Sequence, residues 1–355
     1  MLNLSADVVD LTAALVDIPS ESRHEQRIAD EVEVALGACS HLSVTRFGNT
    51  VVARTQLGRD ERVVLGGHLD TVPAADNLPH HIADGNLYGL GANDMKGGVA
   101  VALRCAYDLV APSRDVTYVF YECEEIDDEA NGLRLLAQAH PELIEADFAV
   151  LMEPSNAGVE AGCQGTLRAY VRTSGERSHS ARSWLGSNAI HAAADILNRL
   201  NAYESRSPLI DGLQYREGLN AVGIEGGVAT NVIPDACVVT VNYRYAPDRS
   251  PEQAHHHMQE VFDGYPIEVV DNSPGALPGL SHPAAAAFLA ATGSQVRPKF
   301  GWTDVSRLSA LGIPAVNFGP GDPMLAHKQE EHVPMAHIER CEEQLRRWLT
   351  GGTAS

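Results

Sequence analysis

The chain has 355 residues, of which 44% are hydrophobic and 21% charged. That is an ordinary globular composition, and the length exceeds the roughly 250–300 residues at which a single core stops growing, so two domains are expected. The net charge is 26 − 47 = −21; with no Lys/Arg cluster in sight, nucleic acid is excluded as an expected partner.

The first twenty residues lack a basic n-region and read as an amphipathic helix rather than a signal peptide. Helical periodicity covers 5–17 and 24–38. "RVVLGGHLD" (62–70) begins as a buried strand, "KGGVAVALRCAYDLV" (96–110) is helical, and "DVTYVFYE" (115–122) is a strand. "ANGLRLLAQA" (130–139) is a helix and "ADFAVLMEP" (146–154) a strand. Strands separated by helices indicate α/β units around a mainly parallel sheet. The middle alternates instead: strands over 165–175, 219–227, 236–247 and 265–271, with helices over 187–200 and 251–262. After "NSPGALPGL" (272–280) the first pattern returns, with a helix at "PAAAAFLAAT", a strand at 313–319 and a helix at 336–349. The expected architecture is a discontinuous α/β catalytic domain (1–164 and 276–355) with a mixed, mainly parallel sheet, plus an inserted α+β domain (165–275). Apolar runs such as "AFLAA" fall far short of the ~20 residues of a membrane span. Six scattered cysteines without a CxxC pair argue against a thiolate zinc site and a secreted disulfide scaffold, and suit the cytoplasm.

Ligands of parallel α/β sheets gather at the carboxyl ends of the strands. The residues just past those ends are His68 and Asp70, Asp94, Glu124 and Glu125, Glu153, and His327. Singly, each is more simply a cap or turn former; five strand ends coinciding change the balance. Nitrogen and oxygen ligands without cysteine suit zinc, cobalt or manganese. Two metals about 3.5–4 Å apart need a bridging carboxylate, a role open to Asp94. His68 can ligate through one ring nitrogen while Asp70, on the same side of an extended segment, orients the ring. "YECEEIDDEANG" (121–132) holds six acids in eight residues. Adjacent Glu124 and Glu125 should diverge, while Asp127, Asp128 and Glu129 read as a solvated turn. "HHH" (255–257) lies in an amphipathic helix, where consecutive residues point apart, and reads as surface. No G-x-S-x-G elbow occurs, and "GLGANDMKGG" matches neither phosphate-loop pattern.

These segments, with "GGHLDTVP" (66–73), "CEEID" (123–127), "LMEPS" (151–155), "SHSAR" (178–182), "ATNVIPD" (229–235) and "LAHKQEEHVPM" (325–335) in order, resemble the di-zinc aminoacylase/carboxypeptidase family. That family holds the carboxypeptidase G type, acetylornithine deacetylases and succinyl-diaminopimelate desuccinylases. The stretch 151–197 resembles the actinobacterial desuccinylases in particular. The resemblance implies two divalent metal ions, zinc first and cobalt as the alternative: one held by His68 and Glu153, the other by Glu125 and His327, bridged by Asp94. It implies Glu124 as general base, Asp70 as partner of His68, and His179 as an oxyanion donor reaching a neighbouring subunit's site. The inserted domain then corresponds to a lid and homodimerisation domain. Asn231, Arg244 and Arg182 are candidates for binding the substrate, an N-succinyl amino acid. Thr303 and Arg307 are further candidates, in a stretch where "WTD" departs from the Gly-Thr-Ser-Asp form of the proteobacterial enzymes. The implied reaction is hydrolysis of an N-succinyl amide to succinate and LL-diaminopimelate. The rivals are an N-acetyl-amino-acid deacetylase or dipeptidase of the same family, and a non-catalytic binding module, which would lack a base or a metal ligand.

Overall fold

The apolar runs of the first half, Arg62–His68, Asp115–Tyr121 and Phe148–Leu151, are neighbouring parallel strands. They are buried almost throughout, which is why they read as continuous rather than alternating. The computed structural model describes residues 2–352. Ala315–Asn317 adds a fourth parallel strand beside Phe148–Leu151. The flanks are antiparallel: the hairpin Ser43–Phe47/Thr50–Arg54 on one side and Val159–Ala161 on the other, in an eight-stranded sheet closed by Val296–Pro298. The helix Gly97–Asp108 packs against Val8–Val16 and Met335–Leu349, and the last of these also against Pro283–Thr292. Trp348, fully buried, meets Phe148 and Phe288 edge-on at centroid distances of 6.0 and 4.9 Å. Among the described residues no helix is long and apolar enough to cross a membrane.

The chain divides into two units. The first runs to Ala161 and resumes over Pro278–Arg297 and from Arg307; the second comprises Gly162–Leu277 and Pro298–Ser306. Residues 298–306, expected in the outer domain, thus pack with the inserted one. Trp302 Nε1 and Ser306 Oγ both donate to the Pro274 carbonyl, at 3.0 and 2.6 Å.

The second unit is a four-stranded antiparallel sheet in the order Gly218–Gly226, Ala236–Tyr245, Gly165–Ser174, Ile267–Ser273. Gly165–Ser174 alternates buried and open positions along its length, the period-2 signature of a sheet with one covered face. The helices Ala189–Asn201 and Pro251–Val261 supply that cover through Ala193, Ile196, Ala254 and Met258. Asn188 caps the first helix and a Ser250–Gln253 capping box the second, satisfying amides that a helix start leaves open. The three histidines of the second helix do point apart. His256 is exposed, but His257 is not the solvated residue expected: its Nε2 lies 2.9 Å from the Tyr203 hydroxyl.

Candidate metal centre

His68 ends the strand Arg62–His68, fully buried. Its Nδ1 lies 3.0 Å from the backbone carbonyl of Asp70 and 3.5 Å from that residue's Oδ1. The Asp70 carboxylate spends its closer contacts on the neighbouring strand end. Oδ1 accepts from the amide of Glu124 (3.0 Å), and Oδ2 from the amide of Glu125 (3.1 Å) and from Ser22 Oγ (2.7 Å). Burial raises the Asp70 pKa, but the hydrogen bonds from His68, Ser22 and the Glu124 amide outweigh it and hold it below the usual carboxylate value. One buried carboxylate therefore sets both the imidazole and the backbone of the adjacent glutamates.

Asp94 sits in the turn just before the helix Gly97–Asp108. It faces two imidazoles with different oxygens: Oδ1 is 3.3 Å from His68 Nε2, and Oδ2 is 3.7 Å from His327 Nε2. Glu125 Oε1 is 2.9 Å from the same His327 nitrogen. One donor atom each from His68, Asp94 and Glu125 falls within 4.8 Å of the others. Nitrogen and carboxylate oxygen at this spacing fit zinc or a similar divalent ion. Hydrogen bonding to Glu125 lifts the His327 pKa to about 9 against burial. Burial lowers that of His68, yet hydrogen bonds to Asp70 and Asp94 carry it well above the ordinary value. Glu153, buried, follows the strand Phe148–Leu151. The backbone there runs hard against Gly98 and Gly319, where any Cβ would strike Met152 main-chain atoms.

Three buried residues absent from the sequence reading support this centre. Glu331 Oε1 accepts from the amides of Asn93 (2.9 Å) and Asp94 (3.0 Å), and burial pushes its pKa up to about 7. Lys96 Nζ donates to the Ile18 carbonyl at 2.8 Å, and burial pulls its pKa down to about 7. Glu25 Oε1 accepts from the Cys123 amide at 3.1 Å. "HKQEEHVPM" displays the acid and "NDMKGG" the lysine, but no local pattern marks any of the three as buried. In the acidic stretch, Glu122 Oε1 accepts from the Asn49 amide (2.8 Å). Asp128 is less free than a solvated turn implies, pairing with Arg134 (3.0 Å) and Arg307 (2.7 Å).

The structure thus brings His68, Asp70, Asp94, Glu124, Glu125 and His327 together within the first unit. Arg307 also belongs there, but its guanidinium is at Asp128. His179, Arg182, Asn231, Arg244 and Thr303 belong to the second unit. His179 is exposed and begins a short 3-10 turn, its Nδ1 accepting from the Ala181 amide at 3.0 Å. The Asn231 carbonyl accepts from the Ser180 amide beside it (2.9 Å). Arg182 and Arg244 are exposed, and Thr303 is buried with its carbonyl accepting from Cys163 Sγ and the Ser306 amide.

Residues 64–350 match the model of peptidase family M20/M25/M40. The chain is 57% identical over 354 residues to the DapE protein of Mycobacterium tuberculosis, provisionally named a succinyl-diaminopimelate desuccinylase, covering 99% of this chain and 100% of that one. It is 48% identical to the succinyl-diaminopimelate desuccinylase of Corynebacterium glutamicum, covering 98% of each. Among solved structures, a tripeptidase from Staphylococcus aureus superposes with a TM-score of 0.78 at 23% identity, covering 99% of this chain and 98% of the other. The chain belongs to peptidase family M20/M25/M40.

Proposed function

We propose that the chain is a succinyl-diaminopimelate desuccinylase, a metal-dependent amide hydrolase that converts N-succinyl-LL-2,6-diaminopimelate and water to succinate and LL-2,6-diaminopimelate. The observation that carries the hydrolytic chemistry is the adjacent pair Glu124–Glu125. One member touches His327 in the ligand cluster, and the other is held beside it by the same Asp70 carboxylate. The substrate follows from near-half or better identity, end to end, to two proteins bearing that name.

His68 and Glu153 would hold one zinc and Glu125 and His327 the other, with Asp94 between them. When bound, these ions supply the Lewis acidity that makes water nucleophilic near neutral pH. Glu124 takes the proton from the attacking water and delivers it to the departing amine nitrogen, so that the C–N bond breaks without expelling an amide anion. Asp70 keeps the His68 ring in the orientation that directs Nε2 toward Asp94. His179 already spends Nδ1 as an acceptor; its neutral form then carries hydrogen on Nε2 and can donate to the developing oxyanion. Asn231, Arg244 and Arg182, with Thr303 and Arg307, are the candidates for holding the substrate's carboxylates, bidentately where arginine is used. We assign the second unit to dimerisation and the protein to the cytoplasm, in keeping with six free thiols.

The test compares kcat/KM for N-succinyl-LL-diaminopimelate, N-acetylornithine and a dipeptide on the zinc-loaded protein. The succinyl substrate should be preferred; a preference for either rival moves the assignment to another member of the family. Glu124→Gln should keep its metal and lose on the order of 10²–10⁴ in kcat. Near-parental turnover removes Glu124 as the base.

A further inference from the structure

Past Tyr121 the chain must turn so that two consecutive glutamates both serve one site, instead of falling on opposite faces of the sheet as extended neighbours do. It does so at Cys123, whose φ of 57° lies in the left-handed region that a side chain disfavours. Three successive amides then point to carboxylate oxygens. That of Cys123 donates to Glu25 Oε1 at 3.1 Å, that of Glu124 to Asp70 Oδ1 at 3.0 Å, and that of Glu125 to Asp70 Oδ2 at 3.1 Å.

Glu25 is an unusual contributor. It is fully buried at the start of the helix Gln26–Gly37, yet its side chain does not cap that helix. Oε1 takes the amide of Arg23 (2.9 Å) and both the amide and the thiol of Cys123 (3.1 and 3.3 Å). Oε2 has no partner among the described residues. For stability alone a buried carboxylate with one oxygen unmatched is a poor choice.

We propose that Glu25 is a positioning residue for catalysis, clamping the left-handed turn at Cys123 so that Glu124 points at the attacking water. Asp70 fixes the far side of the same turn and Glu25 the near side. The inference rests on the assignment of Glu124 as the base.

The discriminating property is an acceptor oxygen at the right reach, not a charge. Glu25→Gln keeps that oxygen and should retain kcat to within about threefold. Glu25→Asp keeps the charge but withdraws the oxygen by one methylene, and Glu25→Met fills the same volume with no acceptor. Both should lose about 10²-fold in kcat, the scale of a misplacement near 1 Å, with KM within about twofold and metal content unchanged. Glu25→Met, apolar in a buried position, serves should Glu25→Asp fold poorly. Cys123→Ala keeps the amide and should stay close to parental activity. Assays use the zinc-loaded full chain, with metal measured on each sample. The proposal is overturned by parental kcat in Glu25→Met, by Glu25→Gln as impaired as Glu25→Met, or by a kcat loss that tracks metal loss. Glu124→Gln run in parallel separates the two levels: if it remains active the base assignment fails, whereas an inactive Glu124→Gln beside a fully active Glu25→Met sinks only the clamp.

Discussion

His327 shows how the site is poised for a cation. Half exposed, its imidazole is lifted to about 9 chiefly by the hydrogen bond to Glu125, against about 6.5 in an unfolded chain. The raised folded value means that the pair stabilises the metal-free fold fully below about pH 6.5, and that this contribution is lost as pH rises through 9. At pH 7 the His327 imidazole therefore carries a proton, which a metal bound at its Nε2 would have to displace. Loading metal at pH 7 should release close to one proton from His327, read from the dependence of calorimetric heat on buffer ionisation enthalpy. Above pH 9 the His327 share should vanish. Uptake without proton release at pH 7 contradicts the ligand assignment. At this scale the polar residues at strand ends were legible because an apolar run followed by an isolated acid or histidine is a visible discontinuity. Glu25 and Glu331 were not. They act on backbone amides 98 and 237 residues away, and nothing local distinguishes them from surface acid.

Two short segments, 93–96 and 327–333, act as one element although the sheet does not join them. Glu331 ties them by accepting from Asn93 and Asp94, so the loop that presents His327 also fixes the backbone of Asp94. Removing that carboxylate leaves the buried amide of Asn93 and the part-buried amide of Asp94 without this acceptor, and the turn relaxes. Glu331→Ala should weaken metal affinity by about 10–100-fold, as outer supports of metal ligands do. Glu331→Gln, which keeps an acceptor, should weaken it less. Competition with a chromophoric chelator measures both, and equal affinity in Glu331→Ala and the parent refutes the coupling. The central strands and long helices were readable from continuous apolar runs and 3.6-residue periodicity. The hairpin at 43–54 escaped because Ser43–Phe47 is largely open to solvent and so lacks the apolar signal. Val159–Ala161, with three residues, is too short to show a period.

For the molecule as a whole, the second unit carries a feature that a lone chain leaves unexplained. Gly218–Gly226 is an edge strand of its sheet, and every residue from Asn220 onward is exposed. Val222 is 62% and Ile224 51% exposed, with Ile190 and Val228 also exposed in the same unit. An edge of this kind offers unpaired backbone groups together with apolar side chains, the combination that single-chain proteins avoid or cover. A second copy of the chain would satisfy both through a two-fold contact. If this edge makes the contact, the parent should sediment as a dimer and a Val222→Lys, Ile224→Lys chain as a monomer; a double variant that stays dimeric places the contact elsewhere. If His179 completes the neighbour's site, a mixed dimer of His179→Ala and Glu124→Gln chains contains one site with both residues intact, and random exchange should restore about one quarter of parental activity. If His179 serves its own chain, every site in that mixture lacks one of the two residues and no activity returns. Native mass spectrometry establishes that mixed dimers have formed, so that the absence of recovery assigns His179 to its own subunit.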